Sequence, residues 1–128
     1  MIVLDTHVWA WWASSPERLS PGAREVIEGA AAIGVPAICL WEIAMLVAHG
    51  RLAFDRPVDV WLDQGLALPR VRLLPLDPAV AVRVADLAEE MHGDPADRMI
   101  VATALVARAP LVTKDRRIHE SGVVSAIW

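Results

Sequence analysis

The chain lacks the features of a secreted or membrane-bound protein. Its one cysteine, Cys39, cannot form an internal disulfide and is expected to be a small core residue in a reducing compartment. No apolar run approaches the roughly 18 residues of a membrane-spanning helix, because Gly34 and Pro36 interrupt the longest uncharged stretch, Gly29 to Trp41. Asp5 interrupts the first apolar run and no basic region precedes it, so a signal peptide is not expected. We expect a cytoplasmic protein that does not contact a membrane.

The chain also lacks the excess positive charge of a general polyanion-binding protein. Its formal net charge is −4, and its basic residues are eleven arginines and one lysine. Nucleic acid, if it is the partner, must therefore be held by local basic groups and by metal ions. Arginine is well suited to bidentate phosphate contacts, although any single arginine here has the simpler role of a solvated surface charge.

The length and hydrophobic content indicate one well-buried domain. A chain of 128 residues can bury a single core without disulfides. Hydrophobic residues make up 55% of it, above the usual share of about half. This excess indicates a heavily buried sheet, a subunit interface, or both. We find no internal repeat or linker, so we predict a single domain over residues 1–128.

Short apolar runs alternate with segments of helical periodicity along the whole chain. Strands are predicted at Met1–Leu4, Gly34–Cys39, Val71–Leu74, Leu111–Thr113 and Val123–Trp128. Helices are predicted at Thr6–Ala13, Pro21–Ala32, Leu40–His49, Val58–Leu68, Pro78–Met91 and Pro95–Ala109. This alternation predicts an α/β fold, a three-layer α/β/α sandwich around a mostly parallel central sheet of four to five strands.

Five acidic residues stand where apolar runs meet the next element: Asp5, Glu42, Asp94, Asp97 and Asp115. Ligands of such sheets bind at the carboxyl ends of the strands, where Asp5, Glu42 and Asp115 are expected. Converging carboxylates cannot all stay ionised unless positive charge lies among them. Divalent cations with oxygen ligands are the usual solution, and they catalyse phosphoester chemistry. The pattern therefore favours a Mg²⁺ or Mn²⁺ site.

Helix capping is the competing interpretation for most of these acids. Asp5, Asp94 and Asp115 each precede a helix or turn, where aspartate is a favoured cap, and Asp94 to Asp97 is close to a capping box. Glu42 has no such role, because its neighbours are apolar and no basic residue lies within a helical turn. A buried glutamate needs a partner. The two interpretations are compatible, since an acid that binds metal can also cap a helix.

Four motifs follow one another in a specific order. They are Asp5-Thr6-His7, Trp41-Glu42-Ile43, the segment Asp94 to Ala104 with Asp97-Arg98 within it, and Leu111 to Asp115. In order and spacing they resemble the motifs of the PIN-domain nucleases, most closely the VapC-type toxin ribonucleases of toxin–antitoxin pairs. The resemblance spans essentially the whole chain.

The resemblance implies a Mg²⁺- or Mn²⁺-dependent endoribonuclease toxin with an RNA substrate, a cognate antitoxin and a homodimeric state. It also implies that metal-activated water, held by a carboxylate cluster, hydrolyses the phosphodiester bond. Carried onto matching positions, it makes Thr113 the hydroxyl residue that helps to orient this water. Asp94 is expected to cap its helix, with a role around the metal as the alternative. The implied metal ligands are Asp5, Glu42, Asp97 and Asp115.

Two other functions remain open. A receiver-like phosphoacceptor domain requires adjacent acids after the first strand and an aspartate at the end of the third. Here Asp5 stands alone and the third predicted strand runs into Pro75. A non-catalytic binding module with a PIN-like fold is the other alternative, and the complete set of four acids argues against it.

The remaining candidates have simpler roles. The four histidines, His7, His49, His92 and His119, lack the pairing of a zinc site. Arg98 and Lys114 adjoin two of the acids and are candidates for phosphate contact or for local charge balance.

The chain has six tryptophans, which is many for its length. Trp11 lies about 160° from Trp9 around the first helix, so the two cannot enter the same core. We therefore expect part of this helix at an interface with the antitoxin or a second subunit, with base stacking as the alternative. We expect Trp41, Trp61 and Trp128 in packed positions.

Overall fold

The computed structural model describes residues 1–91 and 93–128, and the histidine prediction at position 92 lies outside them. Five strands and seven helices alternate within this part of the chain. In order they are β1 (Ile2–Leu4), α1 (Thr6–Ser14), α2 (Pro21–Gly29), β2 (Ile33–Pro36), α3 (Ala37–Ala48), α4 (Val58–Leu66), β3 (Val71–Leu74), α5 (Pro78–Glu90), α6 (Pro95–Val106), β4 (Leu111–Val112), α7 (Arg116–Ser121) and β5 (Ala126–Ile127). None of these helices combines the length and the apolar character needed to cross a bilayer.

The strands form one sheet in the order β3-β2-β1-β4-β5, and every pairing is parallel. Val3 of β1 is in register with Gly34 on one side and with Leu111 on the other. Strands β2 and β3 therefore lie on one side of β1, and β4 and β5 lie on the other side. The resulting switch point between β1 and β4 is where parallel α/β sheets bind ligands.

Both faces of the central strands are covered. Every residue of β1 and β2 is buried, and successive side chains of a strand point to opposite faces. Helices must therefore pack on both sides of the sheet, as an all-parallel sheet requires. The predicted α/β class and three-layer arrangement are confirmed.

The element boundaries differ from prediction at the second strand. It spans Ile33–Pro36, and α3 begins at Ala37, so Cys39 lies in the first turn of a helix rather than in a strand. An apolar run has no periodicity that distinguishes the two structures. The predicted core role of Cys39 is nevertheless correct, since the residue is fully buried and burial raises the pKa of its thiol.

The prediction for Trp41 is wrong, because 56% of its surface is exposed. Helix α3 turns Cys39 and Ile43 towards the core, and Trp41 lies about 200° from Cys39 around the helix. Trp61 is buried as expected and Trp128 is partly buried.

Candidate active site

A cleft of about 590 Å³ opens at the carboxyl edge of the sheet, and all five acidic residues identified from the sequence line it: Asp5, Glu42, Asp94, Asp97 and Asp115. Three basic side chains also border it: His7, Arg51 and Lys114. A second cavity of about 620 Å³ contains a single acidic residue, Asp55, which pairs with Arg56 at 2.7 Å. The smaller cleft is therefore the one with concentrated negative charge.

Asp5 follows β1 and caps α1. Its Oδ1 atom accepts a hydrogen bond from the amide of Thr6, the first residue of the helix, at 2.8 Å. Its Oδ2 atom accepts one from the Thr113 hydroxyl at 2.6 Å. The pairing of β1 with β4 brings these two residues together, since the Asp5 amide donates to the Val112 carbonyl at 3.0 Å.

Thr113 connects Asp5 to Asp115. It is fully buried, and its hydroxyl accepts a hydrogen bond from the Asp115 amide at 3.0 Å. The Asp115 carboxylate caps α7 by accepting from the Arg117 amide at 2.8 Å. His119 Nε2 lies 2.7 Å from the Thr113 carbonyl oxygen. One threonine side chain thus fixes the acids that follow two neighbouring strands.

Thr6 is the residue that sequence analysis missed. It is buried, and its hydroxyl donates to Glu42 Oε1 at 2.6 Å, while Cys39 Sγ lies 3.3 Å from the same hydroxyl. This contact supplies the partner that a glutamate in an apolar helix requires. The sequence carried only part of the signal: a glutamate without a nearby basic residue needs a hydroxyl or amide donor from elsewhere in the chain, but nothing in the sequence identifies that donor.

Asp94 and Asp97 begin helix α6 but have different roles. Asp94 caps the helix by accepting from the Ala96 amide at 2.9 Å, as predicted. The Asp97 amide donates to the Asp94 backbone carbonyl at 3.1 Å. The reciprocal bond of a capping box, in which the Asp94 amide donates to an Asp97 side-chain oxygen, is not formed among the described residues. Asp97 is therefore not explained by capping.

The carboxylates of the cleft repel one another. Burial raises the pKa of Asp97 to about 7, assisted by repulsion from four other carboxylates, those of Asp5, Asp115, Asp94 and Glu42. Burial also raises the pKa of Asp5, against hydrogen bonds from Thr113 and Thr6 that lower it. The pKa of Glu42 is raised by burial, with repulsion from Asp5 and Asp94 adding to it.

Ion pairs do not relieve this repulsion. In residues 1–91 and 93–128, the ion pairs are Arg56–Asp55 and Arg83–Glu90, and neither includes an acid of the cleft. Lys114 and Arg98 therefore do not neutralise the neighbouring acids by direct pairing. The cleft therefore has an excess of negative charge, which a bound cation would relieve.

The profile of the PIN domain family matches residues 2–123. The chain belongs to the PIN domain family. It is 42% identical over 118 residues to Ribonuclease VapC22 of Mycobacterium tuberculosis, an alignment that covers 92% of this chain and 89% of the relative. The resemblance inferred from the four motifs is confirmed.

Solved structures have the same fold. A chain of VapBC2 from Rickettsia felis, crystallised with a DNA fragment from their promoter, superposes with a TM-score of 0.73 at 17% identity, over 98% of this chain and 97% of that one. A chain of a toxin–antitoxin complex from Klebsiella pneumoniae gives a TM-score of 0.70 at 17% identity, over 100% and 97%. At this identity the likeness shows the fold.

The donor atoms of this PIN domain cleft fit a hydrated hard cation. Among the described residues, no three His, Cys, Asp or Glu side chains are arranged to ligate one ion directly. Mg²⁺ commonly takes one or two carboxylates and keeps several waters, so it does not need a closed cage. Asp5 and Glu42 are each held in place by a threonine hydroxyl.

The raised pKa of Asp97 makes the stability of the metal-free PIN domain depend on pH. Its ordinary value of 3.8 applies to the unfolded chain, and the folded value is about 7. The folded state therefore holds the proton more tightly, so this group lowers the free energy of unfolding as pH rises from about 4 to about 7. We expect Asp97→Asn to remove this contribution.

Urea denaturation of both proteins in the presence of a chelator, at about pH 5 and about pH 7.5, measures their free energies of unfolding. The gain in stability from Asp97→Asn should be larger at the higher pH. An equal difference between the two proteins at both values would contradict the expectation. The comparison with the variant cancels the contributions of titrating groups outside the cleft.

Proposed function

We propose that this PIN domain is a Mg²⁺- or Mn²⁺-dependent endoribonuclease and the toxin of a toxin–antitoxin pair. The observation that carries the proposal is the convergence of five carboxylates on one cleft, where no ion pair relieves them within the described residues. Support also comes from the relative that is 42% identical and is named a ribonuclease. The similar fold in a toxin–antitoxin complex agrees with the proposed biological role.

The proposed catalytic residues have distinct tasks. Asp5, Glu42, Asp97 and Asp115 hold the cation, directly or through its waters. Bound Mg²⁺ or Mn²⁺ would lower the pKa of a water molecule and offset charge on the phosphate.

Two threonines position these acids. The Thr113 hydroxyl keeps Asp5 and the start of α7 in one geometry. The Thr6 hydroxyl keeps one oxygen of Glu42 in place and leaves the other for the cation or its waters. Neither contact depends on the metal, so the site is organised before the cation binds.

Metal binding and metal-dependent cleavage test the proposal together. Because the cation binds the folded state, Mg²⁺ or Mn²⁺ at about 100 times its Kd should raise the free energy of unfolding by about 2.7 kcal/mol. The same ions should support cleavage of a mixture of cellular RNAs, and a chelator should abolish it. Asp86→Asn, which removes an exposed carboxylate outside the cleft, is the matched control and should preserve both effects.

The outcomes separate the proposed functions. No stabilisation at millimolar metal and no cleavage would contradict the nuclease proposal. Stabilisation by metal without cleavage of any RNA would favour the non-catalytic binding module instead.

We further propose a cognate antitoxin and a second copy of the chain as protein partners. Helix α3 is almost entirely apolar, yet only Cys39 and Ile43 of it are fully buried, and Trp41 is largely exposed. An exposed tryptophan on an apolar helix is typical of protein interfaces. A solution mass near twice 14.0 kDa would support the dimer, and a mass near 14.0 kDa at micromolar concentration would contradict it. A neighbouring gene that encodes a small DNA-binding protein would support the antitoxin if that protein co-purifies with this chain.

A further inference from the structure

Trp11 stands at the rim of the acidic cleft, which it lines together with Asp5 and Lys114. Its neighbour on the helix, Trp9, is fully buried and meets Trp61 edge-on at 4.9 Å. Trp11 points about 160° away from Trp9 and remains partly exposed. The indole ring is therefore presented to the same space as the carboxylates.

Two cations lie over this ring. Lys114 Nζ is 5.9 Å from the ring centroid, and the Arg18 guanidinium carbon is 6.0 Å from it. These distances are at the outer limit of roughly 6 Å for a cation–π contact, so both side chains are near the ring without packing tightly on it. Both groups are exposed, and Lys114 precedes Asp115 in the chain.

Other aromatic rings leave the faces of Trp11 without a parallel stack. His7 is 5.7 Å away at 49°, and Trp128 is 5.9 Å away at 58°. In the second cavity, by contrast, Phe54 already stacks on Trp61 at 4.2 Å and 10°. Within the described residues, Trp11 is thus the tryptophan that combines a place at the acidic cleft, partial exposure and adjacent positive charge.

We propose that Trp11, Lys114 and Arg18 bind one unpaired nucleotide of the RNA, next to the phosphate that enters the cleft. The base takes the place of these two side chains over the indole and stacks on it, and the displaced cations contact the flanking phosphates. Stacking and positive charge are the two elements by which proteins hold single strands without reading their sequence. The inference rests on the proposed ribonuclease function, because it assigns the cleft to an RNA phosphate.

The charge of the chain explains why RNA binding would need Trp11, Lys114 and Arg18. The chain has a net charge of −4, and the cleft repels phosphate until a cation is bound. Lys114 supplies positive charge at the cleft and Arg18 supplies it at Trp11, and stacking adds affinity that does not depend on charge. A nucleotide held there places the adjoining phosphate over the cleft. Sequence analysis favoured a protein interface for this helix, whereas the position of Trp11 beside the acids favours RNA.

Base-deleted RNA tests the stacking directly. A fluorescent single-stranded RNA and versions with an abasic ribose at each position in turn are bound to the full chain carrying Asp97→Asn, in Mg²⁺, so that cleavage does not interfere. One abasic position should weaken binding by about 5-fold to about 100-fold. Adding Trp11→Leu should weaken binding of intact RNA by a similar factor and remove the penalty at that position. Leu76→Ala, which removes an exposed apolar side chain outside the cleft, should change neither.

Lys114→Gln separates the contribution of charge from that of stacking. It should weaken binding of intact and abasic RNA equally, and it should reduce the slope of log K against log salt by about 0.7 for each lost phosphate contact on a single strand. Trp11→Phe retains an aromatic face and should keep most of the affinity and the abasic penalty. It therefore keeps the test valid if Trp11→Leu fails to fold.

Several results would overturn the nucleotide site. Unchanged RNA affinity on Trp11→Leu is one, and an equal loss for intact RNA and every abasic RNA is another. Retained RNA affinity with lost antitoxin binding would assign Trp11 to a protein interface instead. The nuclease proposal can fail separately. If the protein with Asp97 intact cleaves no RNA but the abasic penalty still depends on Trp11, the nuclease proposal is contradicted and the nucleotide site is retained. Conversely, if Trp11→Leu retains metal-dependent cleavage with an unchanged KM, the nuclease proposal is supported and the nucleotide site is contradicted.

Discussion

Asp97→Asn is expected to abolish metal-dependent RNA cleavage and to leave the metal-free protein at least as stable as before. Loss of a hydrogen-bonding partner around a metal ligand typically costs 10-fold to 100-fold, so loss of a ligand carboxylate should exceed about 100-fold. Stability should not fall, because the described residues give the Asp97 carboxylate no hydrogen bond or ion pair and four other carboxylates repel it.

Cleavage rates in Mg²⁺ and Mn²⁺, with thermal melting in a chelator, measure both effects. Asp94→Asn is the informative comparison, since asparagine also caps helices well and Asp94 caps α6. A large loss of metal-free stability in Asp97→Asn would mean that the carboxylate has a structural role, and full cleavage would remove it from the proposed site.

Capping and clustering are two consequences of the same topology. Asp5, Asp94 and Asp115 each cap the helix they precede, and each also lines the cleft. A parallel sheet places the ends of its strands and the starts of the following helices at one edge. Glu42 and Asp97 cap nothing, so their positions have no local structural explanation. These two residues therefore discriminate best between function and structure.

The fold and the positions of the acids were predictable because they depend on local patterns. An apolar run followed by an acid and then a helix marks the carboxyl end of a strand, which is how Asp5 and Asp115 were placed. The sheet order was not predictable, because no local signal states which strands pair. The boundary at Pro36 was also missed, since an apolar strand that leads directly into an apolar helix has no change in pattern.

Contacts between distant residues were the main omission. Thr6 and Glu42 are 36 positions apart, and Asp5 and Thr113 are 108 apart. The sequence indicated that Glu42 needed a partner, but it did not contain the information to choose one. The exposure of Trp41 was missed for a related reason: a helix as apolar as α3 has no polar face that shows which side meets solvent.

Thr113→Val is expected to impair both the stability of the protein and its activity. Valine has nearly the same shape as threonine but no hydroxyl, so Asp5 Oδ2 loses a donor and the Asp115 amide loses an acceptor. Leaving such partly buried groups unsatisfied should lower the free energy of unfolding by about 1–3 kcal/mol. Cleavage should fall by about 10-fold to 100-fold, the usual cost of losing an outer partner of a metal ligand.

The direction of the pH effect distinguishes this role from simple destabilisation. The hydrogen bond from Thr113 lowers the pKa of Asp5, against the burial that raises it. Without the hydroxyl the pKa of Asp5 rises further, so the pH at which cleavage reaches half its maximum should move upwards. Thr113→Ser keeps the hydroxyl and should restore both the activity and the pH profile.

Thr103→Val is the matched control for the same chemical change. Thr103 is also buried, but its hydroxyl donates within α6 to the Met99 carbonyl at 2.7 Å, and it does not line the cleft. Its loss should change stability without moving the pH profile of cleavage. If Thr113→Val and Thr103→Val have the same pH profile of cleavage, the Thr113 hydroxyl does not tune Asp5, and its contribution is to stability alone.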